Sequence, residues 1–154
     1  GGAAPRGNAA FEEVVVSDLI PMIDANYRTR PDRMNRAIAG LSMGAGQAVQ
    51  IGLGHLDKFA YVGSFSGGGI RNFDLKTSYN GVFSDPAAFN KRVPVFWLGA
   101  GTAEAARMTS VKASVEAMNK AGIKAVWYEA PGTSHEWQTW RYCLHDFAPR
   151  LFRK

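Results

Sequence analysis

Five residues, Gly40-Leu41-Ser42-Met43-Gly44, set a serine midway between two glycines. They close the apolar run 37–41 and open a stretch of small residues, 43–54, with helical character. A chain that turns sharply from strand into helix leaves such a serine strained, with its hydroxyl projecting. Glycines two positions to either side remove Cβ atoms where strand and helix nearly touch. The first helical amide, that of Met43, then lies where it can donate to a developing oxyanion. The chemistry this suits is nucleophilic attack on a carbonyl. The same residues also suit a plain glycine-rich turn or a phosphate-binding turn, so the reading needs a base and an acid.

Three histidines are available as the base. His55 follows Gly54 at a helix end and His145 lies within an amphipathic helical pattern, both places for structural or solvent roles. His135, in Pro131-Gly132-Thr133-Ser134-His135-Glu136-Trp137, sits in a loop between a strand and the last helix, where it can reach over a sheet edge. Its alternative is a polar helix start with Ser134 as the cap. For the acid, Gly99-Ala100-Gly101-Thr102-Ala103-Glu104 holds one carboxylate, Glu104. A buried carboxylate would fix the histidine tautomer and stabilise the imidazolium. Glu104 would equally complement the dipole of the helix it begins. Asp74 and Asp85 are fallback acids.

These residues need elements to carry them. Residues 1–10 read as a flexible loop or cleaved end, and 11–26 as a helix kinked or restarted at Pro21, with Phe11, Val14, Val15, Leu19, Met22 and Ile23 on one face. Strands are expected at 37–41, 59–65, 94–98 and 123–129. Helices are expected at 43–54, 104–121 and 136–148. The first of these follows the serine, the second has a stripe of Met108, Val111, Val115 and Met118, and the third turns Trp137, Trp140, Leu144 and Phe147 inward. Residues 66–92 are too long for an ordinary connection and should hold short helical turns serving a site. Strands alternating with helices make an α/β fold with a parallel sheet. In such sheets functional groups gather at the C-terminal strand ends, here just after 41, 65, 98 and 129.

Composition removes other classes. With 154 residues, 46% of them hydrophobic and 20% charged, the chain carries enough apolar surface for a core, unlike a disordered segment. No run is long and apolar enough to cross a bilayer, and the first residues lack the apolar centre of a signal peptide. Net charge is +5 but scattered, with no basic block interleaved with aromatics, so no nucleic-acid footprint is present. One cysteine, Cys143, reads as a buried inert thiol, and one cysteine with three separated histidines makes no metal-ligand cluster.

The segment Gly40–Gly44, preceded by Asp18-Leu19-Ile20-Pro21 and followed by Gly132-Thr133-Ser134-His135-Glu136-Trp137-Gln138-Thr139-Trp140, resembles the esterase D-like branch of the α/β-hydrolases. More narrowly it is similar to carbohydrate esterase family 1, the feruloyl and acetyl xylan esterases, from about residue 11 to the C-terminus. The order Ser42, Glu104, His135 agrees with that branch. Gly101-Thr102-Ala103-Glu104 departs from the family's usual Gly-Thr-x-Asp. The resemblance implies a serine esterase acting on plant cell-wall polysaccharide esters, secreted or periplasmic, needing no metal or cofactor. Phe65 and Trp137 are candidates to flank an aromatic acyl group, with core packing as their alternative.

Family members have about eight strands with the elbow strand mid-sheet. Here four are expected, and the elbow strand comes first. Residues 11–154 are therefore expected to be the C-terminal portion of an α/β-hydrolase catalytic domain. The N-terminal strands, absent from this chain, and a second oxyanion N–H would come from a separate chain, the N-terminal part of the same hydrolase. A thioester hydrolase, an acyltransferase and a non-catalytic polysaccharide- or partner-binding module remain open as alternatives.

Overall fold

The computed structural model describes residues 8–70 and 72–153. It divides into two compact units, one ending at Asp32 and the other running from Arg33 onward. The first unit is helical throughout: α1 (Asn8–Glu13), a π-helical stretch (Val14–Leu19) and α2 (Ile20–Asn26). Pro21 falls in the first turn of α2. The helix meets it by widening: the Ile20 N–H bonds the Val15 carbonyl, five residues back. A proline lacks the N–H an α-turn would use, and the helix restarts as α2 at this point, as expected. Residues 8–10, expected as loop, are helical, and 1–7 lie outside the described residues. No residue of these three elements is buried.

The second unit is a parallel four-stranded sheet in the order β1 (Ala37–Leu41), β2 (Tyr61–Phe65), β3 (Val95–Gly101), β4 (Ala125–Ala130). The connections carry α3 (Met43–Gly54), α4 (Pro86–Arg92) and α5 (Ala105–Lys120), and α6 (Trp137–Phe147) follows β4. Side chains alternate across a strand, so each strand feeds two cores. Val62, Phe96 and Leu98 pack with Val49 and Leu53 of α3 and Val111, Val115 and Met118 of α5. Tyr61, Phe65, Val95 and Trp97 pack with Cys143 and Phe147 of α6. Every residue of β2 and β3 is buried, as a strand covered on both faces requires. β3 runs three residues beyond the expected end because its pairing with β4 continues to Gly101 opposite Ala130.

Two expectations shift and a third holds. On α5, Ser114 joins Val111, Val115 and Met118 in the core, while Met108 is only half-buried. On α6 the inward residues are Thr139, Cys143 and Phe147, whereas Trp137 and Leu144 are 71% and 53% exposed. Phe147 is inward as expected, and Trp140 is half-buried against the same core. Finally, 66–92 does hold helical turns, a 3₁₀ turn at Ser78–Gly81 and α4. Both fallback acids are spent there. Asp85 caps α4 by accepting from the Ala88 N–H at 3.0 Å, and Asp74 accepts from the Lys76 and Thr77 amides at 2.9 Å each.

Candidate active site

Each of the four strands delivers one polar side chain just beyond its C-terminal end: Ser42 after β1, Ser66 after β2, Glu104 after β3 and His135 after β4. Three of them form a relay. His135 Nε2 lies 2.9 Å from Ser42 Oγ, and His135 Nδ1 lies 2.7 Å from Glu104 Oε2. With Nδ1–H donating to the carboxylate, Nε2 is left as the acceptor for the serine proton.

Ser42 is held by its backbone. Its φ of 55° and ψ of −119° lie where non-glycine residues rarely sit, and its N–H extends the sheet ladder to the Phe65 carbonyl at 2.9 Å. The two flanking glycines are not equivalent. A Cβ on Gly40 would come 2.1 Å from the Gly44 carbonyl oxygen, whereas a Cβ on Gly44 would meet nothing within 4 Å. The close approach of strand and helix therefore depends on Gly40 alone. Met43 opens α3, so its N–H is among those a helix leaves without an internal acceptor. Its side chain is 76% exposed beside Ser42.

Glu104 precedes α5 but makes no side-chain cap to it. Its carboxylate turns back into the protein and meets four donors. Oε1 accepts from Ser66 Oγ at 2.5 Å and from the Gly101 N–H at 2.9 Å. Oε2 faces His135 Nδ1 and lies 3.0 Å from Arg107 Nε. Burial alone would push this carboxyl up, but the bonds from Ser66, Gly101 and His135 outweigh it and hold Glu104 below the usual glutamate range. The dipole reading of Glu104 thus gives way to a buried, multiply bonded carboxylate.

The His135 loop is clipped to the Glu104 loop. The Gly132 N–H bonds Thr102 Oγ1 at 2.8 Å, and the Ala103 N–H bonds the Thr133 carbonyl at 2.9 Å. Gly132 makes the turn with φ at 71°. Ser134 does not cap α6, since Glu136 occupies the N-cap and its side chain accepts from the Ser134 N–H. The Trp140 ring stands edge-on to His135, with centroids 5.2 Å apart.

The expected flanking aromatics separate. Trp137 is exposed two residues from His135, as a surface contact requires. Phe65 is 6% exposed and packs edge-to-face against Trp97 and Phe147, so it belongs to the core and not to a substrate wall. Cys143 is fully buried, and burial pushes its thiol up to about 12, an unreactive group. Ser66 and Arg107 were not singled out by the sequence. The end of β2 was marked as a place to search, but nothing in the residue types distinguished Ser66 from its neighbours.

Comparison with known proteins bears on the family and the fold. Residues 2–151 match the family model described as "Putative esterase". A protein of Xylanibacter ruminicola named endo-1,4-beta-xylanase/feruloyl esterase is 39% identical over 143 residues, which are 93% of this chain and 18% of that protein. A CE1 ferulic acid esterase from Anaeromyces mucronatus, solved with ferulic acid, superposes with a TM-score of 0.73 at 24% identity, covering 93% of this chain and 54% of that one. A mutant feruloyl esterase module from Clostridium thermocellum, solved with sinapinate, gives a TM-score of 0.77 at 19% identity, covering 99% and 61%. These two share the fold, and the chain spans less than two thirds of each relative's length.

Proposed function

Because the chain belongs to the esterase family and carries part of an α/β-hydrolase fold, we propose that it is a serine carboxylic-ester hydrolase of the feruloyl or acetyl xylan type. The observation that carries the proposal is the continuous relay from Ser42 Oγ through His135 to Glu104, at 2.9 and 2.7 Å. The substrate class follows the 39% identical relative whose name includes feruloyl esterase. Action on polymeric cell-wall esters would take place outside the cytoplasm.

In the proposed reaction His135 Nε2 takes the proton of Ser42 as Oγ attacks the ester carbonyl. Glu104 stays ionised and stabilises the imidazolium. The Met43 N–H receives the oxyanion as one donor. The tetrahedral intermediate collapses, the C–O bond to the alcohol breaks, and His135 gives its proton to the leaving oxygen. Water, deprotonated by the same nitrogen, then attacks the acyl-Ser42 ester and releases the acid. The exposed Trp137 offers a flat apolar face to an aromatic acyl group or a sugar ring.

A second donor for the oxyanion belongs to the same proposal. Among the described residues β1 pairs with β2 alone, and four of its five residues are only half-buried. A further polypeptide, the N-terminal part of the same hydrolase, would seat along that free edge and bring the second N–H. Losing one such donor costs about 10²–10³ in rate. The test is release of ferulate from methyl ferulate and of acetate from acetylated xylan. At least one should be released, and Ser42→Ala should reduce that release to background. Release that is unchanged in Ser42→Ala, or cleavage of a thioester with neither ester touched, would overturn the proposal.

A further inference from the structure

Ser66 is fully buried, and its φ of 51° is one that a glycine would adopt without strain. What serine adds at this position is a hydroxyl, and that hydroxyl has two partners. Trp140 Nε1 lies 3.1 Å from Ser66 Oγ, and Ser66 Oγ lies 2.5 Å from Glu104 Oε1. An indole N–H can only donate. It therefore occupies a lone pair of the serine and leaves the serine proton for the carboxylate. The chain of bonds has one direction, from Trp140 to Ser66 to Glu104.

Glutamate has one more rotatable bond than the aspartate usual in the family, so its carboxylate needs more fixing. Ser66 O–H and the Gly101 N–H hold Oε1, which leaves Oε2 aimed at His135 Nδ1. Arg107 reinforces the frame, with Nε on Oε2 and a second guanidinium nitrogen 3.0 Å from the Ser66 carbonyl. Trp140 touches the relay twice, through its N–H on Ser66 and through its ring edge-on to His135.

We propose that Ser66, oriented by Trp140, is a positioning residue that sets the Glu104 carboxylate for His135 and acts on Ser42 only through them. The inference rests on the serine-esterase reading. It is tested on the full chain with Ser66→Gly, Ser66→Ala and Trp140→Phe. The readouts are the His135 Nδ1–H resonance in proton NMR, the rate of fluorophosphonate labelling at Ser42, and the thermal midpoint. Ser66→Gly relieves the backbone while removing the hydroxyl, so its midpoint should equal or exceed that of Ser66→Ala. Its labelling should nevertheless slow about tenfold or more, with the downfield resonance moved or broadened. Trp140→Phe keeps the ring and loses the N–H, and should slow labelling in the same direction by less. A Ser66→Gly chain that labels at the original rate with an unmoved resonance would overturn the proposal, as would labelling that simply follows the midpoint. Failure of the unsubstituted chain to label at Ser42 would instead sink the esterase reading. The resonance needs no turnover and still judges Ser66.

Discussion

Glycine at position 40 and glycine at position 44 look alike in the motif and do different work. A methyl group at 40 would be driven into the Gly44 carbonyl, while one at 44 projects into open space. Gly40→Ala should therefore destabilise the fold by about 1–3 kcal/mol or more, and Gly44→Ala should fall within about 0.5 kcal/mol of the parent, both read from urea midpoints. Glu104 makes a second residue-scale prediction. Its folded value lies below the unfolded one, so its contribution is fully present above about pH 4.3 and is lost as pH falls through the depressed value. Asp146 acts in the same direction: burial would raise it, but bonds from Arg150 and Trp97 prevail and lower it. Glu104→Gln should thus lessen, without abolishing, the fall in urea midpoint on acidification, and an unchanged slope would contradict the assignment. The convergence of Ser42, His135 and Glu104 was legible in the sequence because each follows a strand with a motif around it. Ser66 was not, because its signal is a backbone angle and an approach to β3 that no spacing encodes.

Elements were legible where hydrophobic pattern and burial coincide. β1 and α3 fall where the sequence puts them, because the strand is a short apolar run ended by the elbow and the helix closes at Gly54. On α6 Phe147 and Trp140 pack as expected, while Trp137 and Leu144 do not. Ranking side chains by apolar size put Trp137 and Leu144 inside, whereas Thr139 and Cys143 fit the space against the sheet. Thr139 also ties the helix to the His135 loop, with its hydroxyl 2.6 Å from that of Thr133. Arg33 joins several connections. Its Nε donates to the Leu56 carbonyl at 2.6 Å, and a terminal nitrogen donates to the carbonyls of Phe59 and Arg92. These carbonyls follow α3 and end α4, so one side chain pins the segments that enter β2 and β3. Arg33→Met, which keeps the apolar stem, should cost about 1–3 kcal/mol in equilibrium unfolding. A change below about 0.5 kcal/mol would show that water replaces these bonds freely.

At the scale of the whole molecule, the relay joins residues 93 and 31 positions apart, so it exists only when all four strands are in register. No local segment can hold it, and unfolding must destroy it. The parallel sheet was legible from the alternation of strands and helices, and its C-terminal rim from the rule that such sheets place functional groups there. The separate helical unit was not, because an apolar stripe at helical spacing does not say what the helix packs against. Among the described residues no helix is long and apolar enough to cross a membrane. The measurement that bears most directly on the account is fluorophosphonate labelling of the full chain, with the modified residue identified by tandem mass spectrometry. A single adduct on Ser42 is predicted, lost in Ser42→Ala, strongly slowed in His135→Ala and absent from the chain unfolded in urea. An adduct elsewhere, or labelling that persists in Ser42→Ala, would contradict it.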